Sequence, residues 1–224
     1  ALLHMVKQEH YLQAIIGDEK FWRACGAYFM CDTPLDSDVG AGPLMNQDLE
    51  TASRLLKEGG YNGETLILMD PTDIPVLHGA SLVTAQMLRK IGAKVEVQAM
   101  DWSTLTSRRA ETKSIADGGW NIFHTYSTGA DVASPIANIG VSGGCVEEAW
   151  FGWPCDKTLE DLRDQFSRES DPAKQVEIGI ALQKRAYEVV PYVNYGQWFQ
   201  PTAYRTSLKG VLISPVPFFW NIEK

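Results

Sequence analysis

The stretch TLILMDPTDIPVLHGASLVTAQMLRKIGAKVEVQ, Thr65 to Gln98, reads as strand, helix and strand with short connections. Thr65 to Met69 is an apolar run of strand length, the mark of a strand buried on both faces. After DPTDIP the apolar spacing becomes helical from Val76 to Ile91. Leu77, Leu82, Ala85, Leu88 and Ile91 are expected inward, with Gly92 as the stop. Lys94 to Gln98 then alternates apolar and polar residues, the period of a strand. A strand-helix-strand unit with connections this short pairs its strands in parallel through a right-handed crossover.

Working outward, Asn46 is expected to cap a helix carrying Leu49, Ala52, Leu55 and Leu56 that ends at Gly59-Gly60. Asp101 caps a third helix, about 102–112, and Trp120 to Tyr126 supplies a third strand, completing a second crossover unit. Downstream, Asp156 caps a helix with Leu159, Leu162 and Phe166. Asp171 and Pro172 open another that carries Val176, Ile180, Tyr187 and Val190. Upstream, residues 1–16 read as one helix stopped by Gly17. Residues 18–46 lack periodicity and carry Gly26, Pro34, Gly40, Gly42 and Pro43, a long excursion that a disulfide could pin. Residues 192–224 are rich in aromatics and prolines and read as extended. The fold class is α/β, a parallel or mixed sheet flanked by helices.

Composition narrows the function. A net charge of −8 and a pI near 5.0 lack the basic footprint of a nucleic-acid binder. No apolar stretch is long enough to span a membrane. Ala1-Leu2-Leu3-His4 offers neither a basic leader nor a cleavage motif, and the first residue is not Met; a processed or truncated chain is expected. Cys25 and Cys31 are separated by five residues, Cys145 and Cys155 by nine. Local pairing favours disulfides and an oxidising compartment over free buried thiols. A metal site is disfavoured, because structural zinc wants two to four residues between paired ligands.

In an open parallel sheet ligands bind beyond the carboxyl ends of the strands. Three loops leave that edge: Asp70 to Pro75, Ala99 to Trp102, and TYSTGADVASP, Thr125 to Pro135. They carry Asp70, Asp73, Asp101 and Asp131, a rim that attracts a cation or an amine. The competing reading is that these are turn and cap residues, and for Asp101 that reading is taken. Catalytic patterns are missing: there is no G-x-S-x-G, no H-E-x-x-H, no phosphate loop and no GxGxxG. No cofactor and no metal are expected. The aromatics are in excess, with Trp198 among those of the second half. The run Trp150-Phe151-Gly152-Trp153 inside the Cys145–Cys155 loop is suited to form the wall of a small-molecule site.

The ordered succession of these features resembles the extracellular solute-binding protein family of ABC importers of the dipeptide- and oligopeptide-binding type. The residues that carry it run from Gly59-Gly60-Tyr61 through the two strand-helix units to Thr128-Gly129-Ala130-Asp131 and Ser134-Pro135. They continue through the Cys145–Cys155 loop, Asp171-Pro172 with Gln175, Gln183 to Tyr187, and Val190-Pro191. The last are Gly210-Val211 and Pro215. The resemblance covers the whole chain but only the second half of a typical member. It implies a type II periplasmic binding protein-like lobe: residues 1–201 as the C-terminal solute-binding lobe and 202–224 as a tail returning to a missing N-terminal lobe.

It further implies a periplasmic or extracellular, membrane-tethered protein that captures a small solute, whether peptide-like, an amine or a cationic compound, and delivers it to ABC permease subunits, with no chemistry of its own. In dipeptide binders of this family an aspartate after the third strand holds the ligand's amino group, and Asp131 stands there, in a loop one residue longer than usual. Tyr126, Thr128, Gly129, Asp73, Asp70, Trp153 and Trp198 complete the expected ligand-binding set. Where those binders place an arginine for the ligand carboxylate, this chain has Met69-Asp70-Pro71-Thr72-Asp73, which points to an amine or other cation. The alternative from another class is a hydrolase- or transferase-type α/β domain using the rim carboxylates, and a third is a sensor or chaperone-like module.

Overall fold

The computed structural model describes residues 1–214 and 218–224. The expected first helix is two: α1 (Leu2–Met5) and α2 (Gln8–Ile15), broken where Val6 and Lys7 are extended. The break turns the buried Gln8 amide onto Cys25. Its Oε1 accepts from Cys25 N at 2.7 Å and its Nε2 donates to Cys25 O at 2.9 Å. The excursion that follows holds the short strand β1 (Trp22–Arg23) and α3 (Gly42–Met45). Asn46 closes α3 by donating to Gly42 O. The cap of α4 (Leu49–Glu58) is Asp48, whose carboxylate accepts from Thr51 N at 2.9 Å.

Then come β2 (Thr65–Pro71), α5 (Pro75–Lys90) and β3 (Lys94–Met100), with β2 and β3 parallel and Leu68 opposite Val97. Proline at the first turn of α5 and Gly92 at φ 97° after its end punctuate the helix as the sequence predicts. Its buried stripe is Leu77, Ala80, Ser81, Thr84, Ala85 and Leu88. Leu82, expected inward, is 52 % exposed, because it lies off the three-and-four spacing of that stripe.

α6 (Trp102–Arg108) is shorter than expected and is capped by Asp101. The third strand shrinks to one bridge, Ile122 beside Leu68. Asn121 substitutes for a longer ladder, its side-chain oxygen accepting from Ile67 N at 2.8 Å. Beyond Ile122 the chain leaves the sheet, as Phe123 joins an aromatic cluster and His124 turns to Tyr195. The order is therefore β3, β2, Ile122. β2 is central, and the chain direction of the connections reverses between β2 and the Ile122 segment, the place where open sheets form their ligand crevice.

The remaining helices are α7 (Cys145–Glu148), α8 (Lys157–Arg168) and α9 (Pro172–Val189). α8 and α9 pack on each other, and Asp156 ties them by capping α8 at Leu159 N while pairing with Arg185 at 2.5 and 3.1 Å. That pairing and capping hold the Asp156 carboxyl below its usual range. The last strand, β4 (Gln197–Trp198), pairs antiparallel with β1. Both favoured disulfides form, Cys25–Cys31 and Cys145–Cys155. Residues 199–214 and 218–224 contain one β-bridge, Lys209 with Glu223, and leave Ile213, Phe219 and Trp220 exposed. Pro215, one of the residues of the resemblance, and residues 216–217 of the expected tail lie outside the described residues. No helix among the described residues is long and apolar enough to cross a membrane.

Candidate functional site

The loops at the carboxyl end of the sheet separate the expected site residues into four local groups. Asp70, near the end of β2, is 2 % exposed, and both its oxygens lie 2.9–3.0 Å from Nδ1 of His78 on the first turn of α5. Asp70 is thus a buried anchor that orients His78, whose side chain remains 39 % exposed. Asp73 accepts from Trp102 N at 2.8 Å and, with Asp101, caps α6. Two of the four rim aspartates are therefore helix caps. Among the described residues no group of three or more His, Cys, Asp or Glu side chains is placed to hold a metal ion.

Asp131 lies in a short 3-10 turn, 130–132, and is exposed. One carboxylate oxygen accepts from Thr128 N at 3.0 Å and from Thr128 Oγ1 at 2.8 Å. The turn is fixed, while the other oxygen takes no hydrogen bond from the described residues. Gly129 lies against the Cys25–Cys31 loop: a Cβ there would stand 2.6 Å from Met30 Sδ, and Met30 N donates to Val132 O. Tyr126, half exposed, meets Trp198 edge to face, with ring centres 5.6 Å apart. Tyr126, Thr128, Gly129, Asp131 and Trp198 thus form one surface, backed by the first disulfide loop. Two recesses among the described residues, about 250 and 480 Å³, are lined by other residues: Lys7 to Glu9 with Met45 in one, and Ser103, Ser107 and Arg108 with Asp117 in the other.

Trp153 belongs to a different group. Its ring is 5.7 Å from Trp120, which meets Phe123; Phe123 meets Trp150, and Trp150 meets Phe151. Into this cluster reaches Arg109, which sequence reasoning passed over. Its guanidinium carbon lies 4.5 Å from the Phe151 ring centre, 5.4 Å from Trp150 and 5.6 Å from Trp102. Helical side chains lean toward the N-terminus, which returns the guanidinium to the level of Trp102 and Phe123. The adjacent Arg108 spends its donors on Gln98 and on the carbonyls of Gly118 and Gly119. Arg109 donates to no acceptor among the described residues. Its Nε is buried and unpaired, as is Nε1 of Trp120, and burial lowers the Arg109 pKa. The available signal was the Arg108-Arg109 pair ending a capped helix in an acidic chain with an aromatic loop to follow.

Also passed over were the amides that build the surface from beneath. Tyr28 N donates to Gln183 Oε1, Asn138 Nδ2 to Tyr28 O, Asn194 Nδ2 to Ala27 O, and the Tyr187 hydroxyl to Gly26 O. These side chains satisfy the buried backbone of residues 26–28, which no strand pairs.

The parallel β2–β3 core with helices against it and rim loops at its carboxyl edge has the fold of one lobe of a type II periplasmic binding protein, as comparison with solved structures shows. No family model matches the chain. The probable peptide ABC transporter periplasmic-binding protein y4tO of Sinorhizobium fredii is 33% identical over 225 residues, which cover 100% of this chain and 42% of that protein. The putative peptide binding protein AppA from Clostridium difficile superposes on 94% of the chain, with a TM-score of 0.74 and 16% identity. The DppA protein from Helicobacter pylori, solved with the peptide STSA, covers 99% of the chain, with a TM-score of 0.72 and 18% identity. The chain spans 42% of the length of each of these three. In sequence it is similar to a protein named as a peptide transporter's periplasmic-binding component, and in fold to solved peptide-binding proteins.

Proposed function

We propose that this chain is one lobe of a two-lobe binding protein that captures a small solute outside the cytoplasm and passes it to an ABC permease. Residues 1–201 form the lobe, and 202–224 return toward the other one. The observation that carries the reading is similarity along the whole chain to a protein named as a peptide transporter's binding component. The relatives are named as binding proteins, and the enzymatic alternative has no support among them.

The solute is peptide-like. Its amino group meets Asp131, whose carboxylate is held by Thr128 with one oxygen left over, and its apolar part lies on Tyr126 and Trp198. Asp70 acts through His78, and Asp73 through the start of α6. Arg109 supplies the positive charge that the loop after β2 lacks, so a carboxylate is accommodated as well as an amine. Two outcomes test this in the two-lobe protein by calorimetry, using the tripeptide it retains best from a mixed pool. Asp131→Ala and N-acetylation of the tripeptide should each weaken binding by at least about tenfold, near 1.4 kcal/mol. Unchanged affinity in both would remove Asp131 from the site.

A further inference from the structure

The loop between Cys145 and Cys155 is stiff at its base and carries its rings beyond it. Cys145 N donates to Pro154 O at 3.0 Å, Asp156 N to Gly143 O at 2.9 Å, and Gly144 pairs with Cys155. Cys145 and Trp153 both sit in the left-handed region, at φ 62° and 50°. Residues with side chains keep that conformation where their surroundings enforce it. The enforced segment presents Trp150 and Phe151 to the guanidinium of Arg109, which no carboxylate among the described residues holds. Planar guanidinium on aromatic faces is a favourable but undirected contact, so the position of Arg109 depends on where the loop puts the rings.

The two disulfides differ in access. Cys25 and Cys31 are each 7 % exposed and lie under the amide network, whereas Cys155 is exposed and Cys145 half-buried. Thiol exchange requires an approach to sulfur, so a reductant reaches the second bridge first.

We infer that the Cys145–Cys155 loop is a redox-breakable clasp that positions the guanidinium of Arg109 at the carboxyl end of the sheet. The inference rests on the reading of Arg109 as the rim's positive charge, and adds that Phe151 and Trp150 are its positioning residues. Dithiothreitol breaks the bridge by giving two electrons and two protons. Cys145 and Cys155 become thiols, and the reagent closes to its cyclic disulfide. The freed loop loses its left-handed base, and Arg109 turns out to solvent.

The test follows exchange of the Arg109 Nε–H proton with water by nitrogen-15 NMR of this chain, with the signal assigned by its loss in Arg109→Lys. In the oxidised chain the buried Nε–H should exchange at least ~10-fold more slowly than those of exposed arginines. Reduction should remove that protection while alkylation and mass measurement show Cys25–Cys31 still joined. Cys145→Ser with Cys155→Ser should do the same without reductant. Phe151→Ala should remove most of the protection, and Phe151→Tyr should keep it, which a merely structural role of the loop would not require. Protection that survives both loop opening and Phe151→Ala would overturn the clasp, as would reduction of Cys25–Cys31 first. Failure of Arg109 as an anion contact reads out separately. In the two-lobe protein, Arg109→Gln would then leave tripeptide affinity unchanged while the exchange results stand.

Discussion

Replacing Gln183 by alanine is expected to lower the unfolding free energy by about 3–5 kcal/mol, the range for breaking a buried hydrogen-bonded network and opening a cavity together. Gln183 lies on α9 at 0 % exposure. Its Oε1 accepts from Tyr28 N at 3.0 Å, and its Nε2 donates to Ser37 O and to Val39 O. The segment it serves has no sheet or helix of its own. Truncation leaves the buried Tyr28 N–H and two carbonyls without a partner and empties most of a glutamine's volume beside Leu182 and Ala186. Urea unfolding should show a midpoint moved down at unchanged slope. Gln183→Glu should be nearly as harmful, because a carboxylate cannot donate to Ser37 and Val39. A loss below about 1 kcal/mol for the alanine variant would mean that water replaces the amide.

Acid is expected to weaken the fold by about 3 kcal/mol between pH 6.5 and pH 4 through His124 alone. Its Nε2 is buried without a partner, and its ring meets the edge of Tyr195 at 5.7 Å. Burial lowers the pKa from 6.5 to about 4, because the charged imidazole loses its water. The folded protein therefore binds a proton less readily than the unfolded chain. Stability is fully present above pH 6.5 and falls as the unfolded chain protonates, down to the folded pKa near 4. The carboxyls of Asp48, Asp101 and Asp156, all lowered by hydrogen bonds, add their losses below this window. Urea midpoints measured from pH 7 to pH 4.5 should fall for the native chain and stay nearly level for His124→Phe. Parallel curves would assign the acid sensitivity to other groups.

The central unit was legible because each local signal in Thr65–Gln98 agrees with the next. An apolar run, a proline at the first turn, a helical stripe, a glycine stop and an alternating strand admit one arrangement. The caps Asp101, Asp156 and Asp171 were equally plain, since their side chains act on neighbours in sequence. What escaped reading acts at a distance. Gln8 breaks the first helix for the sake of Cys25, and Asn121 truncates a strand by bonding a residue 54 positions away. Asp48 rather than Asn46 caps α4, a choice between two good caps that composition does not decide. At the rim, the positions of Asp70 and Asp73 were readable, but their partners His78 and Trp102 N are set by packing. Arg109 went unread because three of the rings around it, Phe123, Trp150 and Phe151, arrive from later in the chain.

On the proposed function, this lobe forms one wall of a cleft that closes on a peptide-like solute and leaves it unchanged. Small-angle scattering of the two-lobe protein, titrated with its best-retained tripeptide and followed by mass spectrometry of what is released, tests that directly. A radius of gyration that falls to a plateau at one equivalent, with the tripeptide recovered intact, is the predicted result. An unchanged radius at saturation, or a cleaved tripeptide, would contradict it.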